Sequence, residues 1–439
     1  MPRRRPNFIV FYLDDLGYGD LGCYGSDAIR TPHIDALAAG GIRFTNWYSN
    51  SPVCSPSRAA LLTGRYPMRA GVPHILGGRR GTPGLPPTER TLASYLGDLG
   101  YRTAIVGKWH LGVSRETSPL VHGFDEFFGF RAGCVDYFSH IFYWQQVDGV
   151  NPVHDLWDGE REVWRNGRYL TELITERAIE YLGRQVARHA GGDPPFFLYV
   201  PYNAPHYPMH APTEYVDRYR GLAPDRRIMA AMVGAVDDGV GAIMEALRRH
   251  GLDEDTLVFF SADNGPSTES RNWLDGTEDF YYGGSAGIFR GHKGSLFEGG
   301  IREPAILSWP GTIPGGRTSD ETCATFDILP TFLDLAGGER PRDRIIDGAS
   351  LAPHVLHGAP GPHETLFWEY GKQLAVRRGR WKLVLDGKLD FARAQADPVH
   401  LSDLAVDPGE RANLAAQERG LADELARAAR EWYAGLVPA

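Results

Sequence analysis

The chain predicts an α/β protein: a large, mainly parallel central sheet flanked by helices, followed by a smaller C-terminal α+β domain with a short antiparallel sheet. Two observations carry this. Short apolar strand-like runs alternate with longer helical patterns over most of the length. From about Pro353 the texture changes to a Gly/Pro linker, a hairpin pattern and one closing helix. The 439 residues suffice for one large domain with a sizeable core and a smaller one, which places the domains at 1–352 and 353–439.

Each element has a local reason. Residues 7–13 form the first strand, continuously apolar from Phe8 to Leu13, as a strand buried on both faces requires. Thr31 as a cap and Pro32 at the first helical position start a helix that stops at Gly40-Gly41. Residues 91–99 read as a helix closed by Gly100, which leads into a strand at 102–106. Residues 195–200 are a strongly apolar strand, 227–250 a long helix ending at Gly251, and 256–261 a strand again. A strand at 304–309 and a helix at 325–336 follow. In the C-terminal part, 358–362 is the linker, 374–385 a hairpin turning near Arg378-Gly379, and 417–436 a helix rich in Leu, Ala, Glu and Arg. The stretch 266–291 has no clear period and is rich in Gly, Tyr and polar residues, which suits a binding loop or lid.

Composition excludes some functions. A net charge of −9, with no dense basic tract beyond Arg3-Arg4-Arg5, argues against nucleic-acid binding. That tract and the apolar run after it imitate the start of a signal peptide. The run is too short, lacks a small-residue cleavage site and ends in Asp14-Asp15. No segment is long and apolar enough to span a membrane. The four cysteines are far apart without a CxxC pair, which disfavours a zinc knuckle and favours a reducing compartment. Together these lead us to expect a cytoplasmic protein without membrane or nucleic-acid partners. Its oligomeric state is not legible.

In α/β sheets ligands bind outside the carboxyl ends of strands, and reactive groups fall there. Asp14-Asp15 ends the first strand and Asp263-Asn264 follows the strand at 256–261. Three carboxylates and an amide oxygen make a hard, oxygen-only set suited to Ca²⁺ or Mg²⁺ rather than zinc. Each pair alone reads more readily as a turn, and their joint placement at strand ends shifts the balance toward metal. Lys108 and His110 alternate with Trp109 after the strand at 102–106, so both point one way in an extended stretch. A cation beside an imidazole suits an anionic transition state and proton transfer. A solvated Lys and a structural His are the other reading. His206 is flanked by Pro205 and Pro208, which stiffen its backbone, and taken alone it reads more readily as a satisfied loop histidine. Lys293 lies among glycines that permit close approach of a ligand, although a lone Lys is usually solvated. Finally, Cys54-Ser55-Pro56-Ser57-Arg58 puts a Cys on a Pro-bounded turn that opens a helix-favouring run, with unpaired N–H groups suited to anions and Arg58 one turn on, though a lone Cys is also commonly a small buried hydrophobe.

Cys54 to Arg58 resembles the C-x-P-S-R motif of the type I, formylglycine-dependent sulfatases of the alkaline phosphatase superfamily. Residues 14–20, 107–112, 204–206, 263–265, 293–294 and 401–414 resemble the same family in the same order. The resemblance implies an alkaline phosphatase-like sandwich and a sulfuric ester hydrolase acting on aryl or carbohydrate sulfates. It implies that Asp14, Asp15, Asp263 and Asn264 hold one Ca²⁺, with Mg²⁺ or Mn²⁺ as substitutes. Cys54 would be oxidised to formylglycine by a formylglycine-generating enzyme and hydrated to a gem-diol that contacts the ion. Arg58 and Lys108 would stabilise that residue and the anion, His110 would assist the hydrated aldehyde and its collapse, and His206 and Lys293 would bind sulfate and help protonate the leaving oxygen. A serine ester would need attack of water at sulfur. A sulfated gem-diol instead expels sulfate by C–O cleavage when its second hydroxyl is deprotonated.

Two other readings remain: a phosphonate monoester or phosphodiester hydrolase using the same site, and a non-catalytic binding module on the same scaffold. The segment after Phe124-Asp125 supplies a further polar contact in many relatives, but no residue near Cys134 can be assigned to it. Trp144, Trp157, Trp164, Trp273, Tyr281 and Tyr282 could stack on sugars or form local core, and Arg271, Arg290 and His292 could read an anion or be solvated.

Overall fold

The computed structural model describes residues 5–79, 81–142, 152–189, 194–269, 281–390 and 397–436. Its centre is β1 (Asn7–Leu13), every residue of which is buried. Alternation along the strand divides the interior in two. Phe8, Val10 and Tyr12 enter one core, and Ile9, Phe11 and Leu13 the other. That two-sided burial is why the run is continuously apolar.

Nine further strands complete the main sheet: β2 (Ile42–Phe44), β3 (Arg102–Lys108), β4 (Glu126–Phe130), β5 (Trp157–Asp158), β6 (Arg161–Glu162), β7 (Phe196–Pro201), β8 (Thr256–Ala262), β9 (Ala305–Ser308) and β10 (Arg317–Ser319). Their spatial order is β10-β2-β9-β8-β1-β7-β3-β4-β5-β6. The five strands from β8 to β4 are all parallel. β9 runs antiparallel between β8 and β2, and β5 and β6 make an antiparallel edge. The sheet is therefore mainly parallel at its centre, where the strand ends converge, and mixed toward its rims.

Helices α1 (Pro32–Ala39), α2 (Cys54–Thr63), α3 (Leu92–Asp98), α4 (Leu170–His189), α5 (Pro224–Arg249) and α6 (Ile328–Leu335) cover the sheet. α1, α4 and α5 pack on the face of Ile9, and α2, α3 and α6 on the face of Phe8. Thr91 caps α3 by accepting the backbone N–H of Ser94 at 3.3 Å, and Gly100 follows with a φ of +85°. In the main body the sequence reading leaves out α4 and the strands β2, β4, β5, β6 and β10. α4 buries Leu170, Leu173, Ile174, Ala178, Tyr181 and Leu182 at helical spacing, and β4 is a short strand interrupted by Gly129.

The C-terminal part forms a four-stranded antiparallel sheet of β11 (Thr365–Tyr370), β12 (Gln373–Arg378), β13 (Trp381–Leu385) and β14 (Val399–Asp403). Gly379, with φ +55°, turns the predicted hairpin. Helix α7 (Arg419–Ala434) packs Leu425 and Ala429 on Val376 and Leu401. The opposite face meets the main body through Trp368, Ala375 and Val384 against Tyr48, Ala60 and Phe297. Beneath it lies a buried ionic cluster: Lys382 Nζ is 2.8 Å from Glu298 and 3.3 Å from Glu410, while Tyr48 and Arg302 donate to Glu298 at 2.7 and 2.9 Å. No helix among the described residues is long and apolar enough to cross a membrane. All four cysteines are unpaired.

Candidate active site

The carboxyl ends of β1, β8 and β3 bring Asp14, Asp263 and Lys108 together. Lys108 donates to Asp14 in a short contact, and Asp15 turns away with a φ of +63°. The backbone N–H of Asp15 donates to Asp263 Oδ1 at 3.2 Å, and Asn264 Nδ2 donates to Asp15 Oδ1 at 2.7 Å. Arg58, one turn into α2, donates through Nε and a terminal nitrogen to Asp263 Oδ2 at 3.0 and 2.7 Å, and lies 3.6 Å from Asp14 Oδ1. Lys293 donates to Asp15 Oδ2 at 3.0 Å. His206 Nε2 is 3.6 Å from the same oxygen, and the peptide bonds before both flanking prolines are cis.

Cys54 is the first residue of α2 rather than part of a turn before it, and Pro56 fits the first helical turn, where no N–H partner is needed. Its sulfur belongs to a group with Asp14, Asp15 and His206 whose ligand atoms all lie within 4.8 Å of one another. A cavity of about 60 Å³ opens beside it, lined among others by His110, Cys134, His206, Glu269 and Lys293. All ten residues singled out from the sequence thus meet at one end of the sheet.

Burial favours neutral forms here, and the charged neighbours decide which groups escape it. Burial works against ionisation of Asp14, but Lys108, Arg58 and Lys293 outweigh it and hold its carboxyl below the usual range. Asp15 is pushed up to about 8 by burial, opposed by Lys293 and aided by Asp14. Burial and Asp14 also raise Asp263. Burial, then Asp14, pushes the Cys54 thiol well up. Burial and Lys108 keep His110 neutral, and burial with Lys293 and Lys108 does the same for His206. Burial lowers the Lys293 ammonium, but Asp15 and Cys54 overcome it and hold its pKa well above normal. The neutral histidines have defined tautomers: His206 Nδ1 donates to the Tyr207 carbonyl at 2.6 Å and His110 Nε2 to the Leu76 carbonyl at 3.1 Å. His110 Nδ1 is left without a partner.

The strand-end oxygens fit a hard dication. Asp14 Oδ1 and Asn264 Oδ1 are buried without a hydrogen-bond partner, and the set is oxygen-only. Three carboxylates this close also repel one another, which a divalent charge relieves.

The segment of Lys293 is fastened from three sides. Its N–H donates to the Pro266 carbonyl at 3.0 Å, the Gly294 N–H to the Pro52 carbonyl at 2.9 Å, and Gln373 Nε2 of β12 to the Gly294 carbonyl at 2.8 Å. Gln373 and the cavity residue Glu269 escape sequence reasoning. Glu269 lies in the stretch marked as a binding loop, but nothing in its local pattern sets it apart from the other acidic residues there.

Of the aromatic candidates, Trp157 donates to Asp155 at 2.5 Å beneath Arg131 and Tyr281 donates to the Asp225 carbonyl at 3.0 Å, so both are built into the local structure. Trp164 and Tyr282 are exposed. Arg290 donates to the Glu410 carbonyl and stacks on Phe297, and His292 is half-buried with its backbone N–H on the Leu389 carbonyl. Trp144, Trp273 and Arg271 lie outside the described residues.

Comparison with known proteins gives the same direction. The sulfatase family profile matches residues 6–338, and that of the N-sulphoglucosamine sulphohydrolase C-terminal region matches 284–430. The chain is 37% identical to N-acetylgalactosamine-6-sulfatase of Rattus norvegicus over 86% of its own length and 71% of that protein's. It is 36% identical to arylsulfatase A of Homo sapiens over 98% and 87% of the two chains. The solved structure of Ps i-CgsB in complex with k-i-k-neocarrahexaose superposes with a TM-score of 0.86 at 31% identity, covering 98% of this chain and 93% of that one. An alkaline phosphatase-like sheet with cations and carboxylates gathered at its strand ends defines a hydrolase of anionic esters. The chain belongs to the sulfatase family, and it is a sulfuric ester hydrolase.

Proposed function

We propose that this protein hydrolyses sulfate monoesters of carbohydrates or aryl alcohols, with Cys54 converted to formylglycine by a formylglycine-generating enzyme. The observation that carries this is the position of residue 54, at a helix start inside the cavity and within reach of the strand-end carboxylates and His206. Burial and Asp14 keep an unmodified thiol there protonated, so it is a poor nucleophile as it stands. Ca²⁺, held by Asp14, Asp15, Asp263 and Asn264, would supply positive charge to acidify the hydroxyl on residue 54 and polarise the ester.

The remaining work falls to side chains. Arg58 and Lys108 fix the carboxylates and add positive charge where the ester charge grows. Lys293 and His206 face the ester, and the protonated Lys293 binds its oxygens and is the ready donor to the leaving oxygen. His110, with Nδ1 available, accepts the proton of the second hydroxyl and so lets sulfate leave. A carbohydrate substrate is favoured by the sugar sulfatase and the neocarrahexaose complex among the relatives. The four unpaired cysteines fit the cytoplasmic location proposed here.

The test is peptide mass spectrometry across residue 54, paired with assays of aryl sulfate, sulfated sugars and a phosphodiester. Conversion of Cys54 with dominant sulfatase turnover is expected. Full activity with an intact thiol, or a dominant phosphodiesterase rate, would overturn the proposal.

A further inference from the structure

Glu269 is the single carboxylate among the described residues that line the cavity. Its Oε2 lies 2.8 Å from Lys293 Nζ and 3.7 Å from His206 Nε2, the two groups assigned above to the ester anion. Ser267 holds it in place, donating its hydroxyl to Glu269 Oε2 at 3.0 Å and accepting the Glu269 backbone N–H at 3.0 Å. The side chain is 20% exposed while that of Lys293 is 2% exposed, so Glu269 stands on the outer side of the ammonium. Asp15 takes another side of the same ammonium. Against burial, Lys293 holds the Glu269 carboxyl down at about 2, so its charge is fixed at every working pH.

An ester seated on Lys293 and His206 therefore meets a permanent negative charge at close range. Repulsion grows in proportion to the charge the ester brings. A sulfate monoester carries one negative charge. A phosphate monoester of the same tetrahedral shape carries nearly two once the pH passes its second ionisation, at roughly 6. Shape separates the two poorly, whereas a fixed carboxylate separates them by charge. We propose that Glu269 is a specificity-determining residue that admits singly charged esters to the cavity and holds off dianionic phosphate monoesters. This rests on the sulfate-ester reading of the cavity.

The experiment compares wild type with Glu269→Gln and Glu269→Ala in the matured, calcium-loaded enzyme. The first keeps the shape of the side chain and the second removes it. The kcat/KM ratio of 4-nitrophenyl phosphate to 4-nitrophenyl sulfate is measured at pH 8, and binding of inorganic phosphate by calorimetry at pH 5.5 and 8. In both variants the phosphate-to-sulfate ratio rises by about tenfold or more, since one repelled charge is removed. Phosphate binding tightens by a similar factor at pH 8 and by much less at pH 5.5, where phosphate is mainly monoanionic. A ratio and a pH-dependent affinity within twofold of wild type would overturn the assignment. Absence of sulfate turnover in the wild type would instead overturn the sulfate-ester reading, and the phosphate calorimetry would still decide the role of Glu269.

Discussion

Replacing Arg58 by Met tests whether the site is held together by its charges. The guanidinium meets Asp263 Oδ2 at 2.7 Å with both side chains fully buried, and that separation is typical of a guanidinium–carboxylate pair. We therefore treat Asp263 as ionised, although burial and Asp14 push its carboxyl upward. At an effective dielectric of about 20, unit charges this far apart attract by about 6 kcal/mol before desolvation is subtracted. Removing one partner leaves the other buried and uncompensated, a loss of about 3–5 kcal/mol. Methionine has much the same stem, so little of that loss is a cavity. The assay is urea unfolding in EDTA of Arg58→Met, Asp263→Asn and the double variant. Each single variant loses about 3–5 kcal/mol, and the double variant loses about 2 kcal/mol less than their sum. Additivity within about 0.5 kcal/mol would show that the two side chains are not coupled and would refute the reasoning.

Other consequences are equally open to measurement. Cys54→Ala loses turnover by at least about a thousandfold, yet a urea titration finds its stability within about 2 kcal/mol of wild type, because only one buried sulfur is removed. EDTA abolishes sulfate hydrolysis in wild type and Ca²⁺ restores it, whereas Asp14→Asn is not restored at the same calcium concentration, as a calcium titration of activity will show. Lys293→Ala slows alkyl sulfates far more than 4-nitrophenyl sulfate, whose leaving oxygen needs no proton, so the dependence of rate on leaving-group pKa steepens. Burial, opposed by Lys382, raises Glu410 from 4.5 to about 7, so its contribution to stability is full below pH 4.5 and lost as pH rises through 7. At 1.36 kcal/mol per unit the change is at most about 3 kcal/mol. Glu410→Gln should therefore gain stability relative to wild type by up to that amount between pH 5 and 8.5 in chemical denaturation.

Much of this was legible because backbone chemistry and motif coincide. The apolar run of β1 has to stop where Asp14-Asp15 begins, and Asp263-Asn264 ends β8 in the same way, so the strand-end rule alone brings the two pairs to one rim of the sheet. The Thr31-Pro32 start and the Gly100 stop mark real helix ends. What was not legible depends on distant partners. The antiparallel direction of β9 depends on its pairing with β8 and β2, of which its own four residues carry no trace. Lys108 gave no sign that its ammonium would be wholly buried on Asp14. Glu269 looks like any loop glutamate until Lys293, 24 residues later, folds against it.

Gln373 ties the second sheet to the main body. Its amide nitrogen holds the Gly294 carbonyl, and its amide oxygen accepts the N–H groups of Leu296 and Lys388, so one side chain from the second sheet steadies the backbone next to Lys293. The ammonium that faces the ester thus depends on a strand formed some eighty residues downstream. Without that strand the anion grip would sit on an unbraced loop. Competence for turnover therefore needs the C-terminal fifth of the chain docked against the main body.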